Sequence, residues 1–63
     1  MKPGDVVMLK SGGAHMTIRY FCDFNAAIAT GREFGWHCDW HDRHGIAQSA
    51  AFNEDQLVKV ADA

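Results

Sequence analysis

Runs of basic residues are missing from this chain. Its six lysines and arginines stand apart at Lys2, Lys10, Arg19, Arg32, Arg43 and Lys59, against eight acidic residues, for a formal charge of −2. Neutralised phosphates supply most non-specific nucleic-acid affinity, so this balance counts against a general DNA or RNA binder. Apolar runs are short too. No stretch approaches the roughly 20 residues of a membrane span, and Met1-Lys2-Pro3-Gly4-Asp5 lacks the apolar segment of a secretory signal. We therefore expect a cytoplasmic protein without a membrane partner. Cysteine occurs only twice. In a reducing compartment Cys22 and Cys38 are expected as free thiols rather than as a bridge.

What is present suits a small folded unit. Hydrophobic residues make up 48% and charged residues 22% of the 63 positions, the balance of a globular chain and not of a disordered one. So short a chain has room for a single domain spanning residues 1–63 and for one core. A core of this size rarely supplies more than about 3 to 5 kcal/mol, so a metal, a disulfide or self-association is a common aid.

The patterning is that of strands. Pro3-Gly4-Asp5 has turn chemistry, Val6-Val7-Met8-Leu9 is a short β-prone run, and Ser11-Gly12-Gly13 turns the chain back. Met16, Ile18 and Tyr20 then alternate with Thr17 and Arg19, predicting a half-buried strand with the first three on one face. Phe21 breaks that alternation and marks a bend, an end or burial on both sides. Trp36, Cys38 and Trp40 alternate with His37, Asp39 and His41, the cleanest two-residue period in the sequence. After an Asp42-Arg43-His44-Gly45 hairpin loop, Ile46 to Phe52 predicts a fourth strand with Gln48, Ala50 and Phe52 on one face. A polar turn over residues 53–56 and a strand from Leu57 to Val60 complete the series. Residues 23–35 predict a longer loop with one short helical turn, capped by Asp23 or Asn25 and bracketed by Gly31 and Gly35. The expected fold is all-β: a small SH3-like five-stranded barrel, or a strongly bent antiparallel sheet.

Two stretches carry a likeness. Gly4-Asp5-Val6-Val7-Met8-Leu9-Lys10-Ser11-Gly12-Gly13 with Met16-Thr17, and Cys38-Asp39-Trp40 with Phe52 and Leu57-Val58, resemble the YodC-like family of small bacterial proteins. The resemblance implies a compact β fold with Cys38 and Trp40 inside, and it brings no catalytic residue. Residues 23–35 are longer than the connection that the family pattern implies, and His37 and His41 depart from it.

The densest chemistry lies in Trp36-His37-Cys38-Asp39-Trp40-His41-Asp42-Arg43-His44. Zinc or another transition metal needs donors about 2.0 to 2.3 Å away. On a strand His37 and His41 stand about 13 Å apart, and Cys38 faces away from both. The geometry that remains is His41 with His44 across the turn, joined by Asp42 or by His15 from another loop. The plainer reading makes His37 and His41 solvent-facing positions. Cys38 between two inward tryptophans reads as a small buried apolar residue rather than as a nucleophile, which would need a neighbouring histidine and an exposed thiol.

The aromatics are numerous for this size, and a core so small cannot bury all of them. The resulting expectation is a non-enzymatic interaction module presenting Phe24, Ile28, Phe34 and Trp36 to a protein partner or a second copy. A nucleic-acid-binding barrel, with aromatics stacking on bases, is the lesser alternative.

Overall fold

The computed structural model describes all 63 residues. Strand β1 is Val6–Leu9, β2 Met16–Cys22, β3 Gly35–His41, β4 Ala47–Phe52 and β5 Leu57–Ala61, with helix α1 at Phe24–Thr30 and a 3₁₀ turn at Glu54–Gln56. The strands form one antiparallel sheet in the order β4-β3-β2-β1-β5. The chain runs as a meander to β4, and the 3₁₀ turn then returns it so that β5 pairs with β1. The all-β expectation holds in its open form. β4 and β5 do not pair, so the sheet keeps two edges and no barrel closes.

The core occupies one face of this sheet. Val7, Met16, Ile18, Cys38 and Leu57 form its buried cluster, with Leu9, Trp36, Trp40 and Phe52 packed against it and partly exposed. Each strand but β4 contributes a buried side chain, because alternate residues share a face. Ile18 lies opposite Cys38 in the β2–β3 ladder, so two of the most buried side chains meet across adjacent strands.

One departure from simple alternation shapes the surface. The β2–β3 register shifts between Ile18 and Tyr20: Ile18 faces Cys38, but Tyr20 faces His37. Arg19 is the extra residue of a β-bulge, which turns the following side chains over. Tyr20 is therefore not on the Ile18 face, as strict alternation predicts. It lies with His37 on the outer face, and Phe21 takes the core side opposite Trp36.

Residues 24–30 form a two-turn helix where a single helical turn is expected. The Asp23 side chain accepts a hydrogen bond from the Ala26 N–H at 2.7 Å, the N-cap arrangement that satisfies an otherwise unpaired donor. At the other end Gly31, at φ 72°, supplies the left-handed C-cap that side-chain-bearing residues adopt at a cost. No residue of the helix is buried. No helix is long and apolar enough to cross a membrane.

Candidate functional site

The bulge at Arg19 builds the first part of the site. Having been turned to the core side, Phe21 packs its ring 4.8 Å from that of Trp36 and meets Phe34 edge-on at 5.8 Å. Trp36 faces Phe52 in the β3–β4 register, and Phe52 in turn lies 6.3 Å from Trp40. An aromatic ridge thus runs Phe34, Phe21, Trp36 through ring contacts and on to Phe52 and Trp40 through the Trp36–Phe52 register. Its inner members press on the core, whereas Phe21 and Phe34 remain 45% and 50% exposed.

The helix adds the second part. Phe24 and Ile28 are four residues apart, so they share one helix face, and they are 66% and 69% exposed. An amphipathic helix normally turns its apolar residues inward. Here the apolar pair faces water, and the segments that flank the helix carry Phe21 on one side and Phe34 on the other. Of the four residues expected at a contact surface, Phe24, Ile28 and Phe34 are exposed and Trp36 is half-buried. The exposed position of Phe21 beside Phe34 is not anticipated by the sequence, since only the bulge puts it there. The broken alternation at Phe21 was the signal that could have found it.

The outer face behind the ridge is polar and internally paired. Tyr20 stacks on His37 at 4.5 Å, the Arg32 guanidinium lies 5.5 Å from the Tyr20 ring centre, and Arg19 pairs with Asp39 at 3.2 Å. The His37 Nε2 lies 2.8 Å from the Glu33 carbonyl, a contact that requires this nitrogen to donate. His37 is half-buried by these contacts rather than freely solvated.

The histidine-rich hairpin is organised by Asp42. Its carboxylate accepts hydrogen bonds from the His44 and Ile46 N–H groups at 2.8 and 3.0 Å and from the Gln48 amide at 3.1 Å. The Ile46 bond first, and the Gln48 bond next, hold the Asp42 carboxyl below the ordinary carboxylate range. Those oxygens close the loop. His41, His44 and His15 are exposed, and no three histidine, cysteine or acidic side chains converge into a metal-sized group.

Cys22 and Cys38 are both buried free thiols. Burial, and then the adjacent Asp39 carboxylate, push the Cys38 thiol above its usual range, which keeps it protonated. No pocket opens in the surface.

Taken together, the fold and the site define a small open-sheet β protein with a row of aromatic rings on its core side and a short helix that exposes Phe24 and Ile28. The chain belongs to the family described as "Uncharacterized small protein (DUF2158)", whose model matches residues 2–57 and so takes in the helix, the ridge and β4. That description carries no activity. No curated protein and no solved structure matches the chain.

Proposed function

We propose that this protein is a non-enzymatic protein-interaction module of the YodC-like kind, working in the cytoplasm, whose contact surface is Phe24, Ile28, Phe34 and Trp36, extended by Phe21. The observation that carries this reading is the outward-facing Phe24–Ile28 pair on a helix with no buried residue. Such a pair gains little from intramolecular packing, and aromatic anchors with apolar neighbours are what interface energetics favour. A pocketless ridge suits a macromolecular surface better than a small molecule. The nucleic-acid alternative has less support, because Lys2, Arg19 and Lys59 each face a carboxylate of the same chain.

The test is capture from the native cell with the intact protein beside a Phe24→Ser/Phe34→Ser variant. We expect a partner held by the intact chain to be lost from the variant while its circular dichroism is unchanged. Identical captures by the two proteins would refute the reading.

A further inference from the structure

The two edges of the sheet are unlike. β5 carries Lys59 at its centre, and its pairing with β1 contains a register shift between Val6 and Val7. A central lysine and a bulge are both devices that keep an edge strand from adding another strand. β4 has neither. Its residues Ala47-Gln48-Ser49-Ala50-Ala51-Phe52 hold no charge and no proline, and they pair with β3 in unbroken register.

The phase of the ladder shows which groups this edge offers. The Ile18 N–H donates to Asp5 and the Ile18 carbonyl accepts from Gly4, so the main chain of Ile18 is turned toward β1. Ile18 and Cys38 are thus a non-hydrogen-bonded pair, and Cys38 points its own main chain toward Ala50. The Asp42 N–H bond to the Ile46 carbonyl fixes the same phase from the hairpin end. By alternation, Ala47, Ser49 and Ala51 direct their N–H and C=O groups away from β3, along the open edge.

We propose that a second copy of this chain occupies that edge, with the two β4 strands antiparallel about a two-fold axis at Ser49. The strand is its own complement in this register. Ser49 meets the second copy's Ser49, Ala47 meets Ala51, and the three outward residues form narrow pairs sharing about six main-chain hydrogen bonds. Ile46, 58% exposed, comes opposite Phe52 on the core side and covers an aromatic that the single chain leaves partly open. Beyond the strand, the same axis brings the hairpin turn of one copy, which carries Arg43 and His44, to the end where the other copy's 3₁₀ turn carries Glu54 and Asp55, so turns of opposite charge adjoin at both ends. This surface is separate from Phe24, Ile28 and Phe34 and does not rest on their role.

Sedimentation of the full chain over a concentration series reads the proposal directly. The mass should climb from the 7.0 kDa monomer toward twice that value. Ser49→Pro removes an N–H that β3 does not use, so it should abolish association with the β3–β4 ladder intact; Ser49→Lys, which sets two like charges on the axis, should do the same. Arg43→Glu and Asp55→Arg should each weaken self-association by about fivefold. Mixing these two variants should restore it, since the mixed pair has opposite charges at both ends. A chain that stays monomeric at every concentration would overturn the proposal. So would a dimer that survives both Ser49 variants, or a charge-swapped mixture that associates no better than its components.

Discussion

Opposite ends of this small sheet solve the problem of a thin core in different ways. At the β1–β5 corner the fully buried Asp5 carboxylate accepts from the Lys2 N–H at 3.0 Å, the Lys2 ammonium at 2.9 Å and the Ala63 N–H at 2.9 Å. Lys59 lies 3.9 Å from it and pairs with Asp62. No buried side-chain nitrogen or oxygen lacks a partner. At the β2–β3 end, by contrast, no ion pair touches the ridge, and phenylalanine rings stand in water. A fully paired polar corner holds the chain's two ends to one another, whereas apolar groups left outside have no role in that closure. The difference separates what the molecule needs in order to fold from what it has to spare for contact.

The strongest challenge to that division is Gly35→Ala, a change at the ridge end itself. Gly35 starts β3 at φ 123°, and a Cβ there would lie 2.6 Å from the Phe52 carbonyl oxygen. Backbone cannot move aside as a flexible side chain can. Strain and overlap together should destabilise the protein by about 3 kcal/mol in urea unfolding. In a domain whose whole stability is about 3 to 5 kcal/mol, that leaves a substantial unfolded fraction. A loss under about 1 kcal/mol would show that the ridge end tolerates main-chain movement and that its order comes from the rings.

A second measurement sharpens the polar corner. The hydrogen bond from the Lys2 side chain, ahead of the main-chain bonds from Ala63 and Lys2, lowers the Asp5 pKa from 3.8 to about 2. A depressed carboxyl favours the folded state when ionised, so its contribution is complete above about pH 3.8 and is lost as the pH falls toward about 2. Urea midpoints across this window should fall for the natural protein. Asp5→Asn, which leaves donors facing an amide, should start lower at neutral pH and show a shallower slope. Some slope should persist, because Asp42 and Asp62 also have lowered values. Equal slopes for the two proteins would remove Asp5 from the acid response.

How far these two regions could be read in advance follows from the reach of the interactions that define them. Trp36, Cys38 and Trp40 on one face of β3, and the strand after the hairpin, follow from a two-residue period that needs no tertiary information. The turn at Pro3-Gly4-Asp5 was legible as a turn, yet the place of Asp5 was not. Its partner Ala63 is 58 positions away, and nothing local marks that contact. The bulge at Arg19 was legible only as a broken pattern, since a register shift is a property of two strands at once. The exposure of Phe24, Ile28 and Phe34 came from counting: more aromatics than so small a core could hold. Which edge of the sheet lacks protection required the strand order, because the charge-free segment Ala47–Phe52 is unprotected only if it lies at an edge.

The smallest effect is also the one that would most directly break the comparison. If the ridge end is surplus to folding, then Phe24→Ser and Phe34→Ser should each shift the unfolding free energy by no more than about 0.5 kcal/mol, the range of surface changes that disturb no packing. Phe34 sets the upper limit, because its ring loses one edge contact with Phe21. Phe24, 66% exposed at the start of α1, has no such contact to lose, and the Asp23 cap that starts the helix uses only the side chain of Asp23 and the N–H of Ala26. A drop of about 2 kcal/mol for Phe24→Ser would mean that its ring is packed in solution, against the helix's own flank or against a second molecule. Repeating the measurement at tenfold lower protein concentration separates these cases: packing within the chain gives the same drop, whereas contact with another copy gives one that shrinks on dilution.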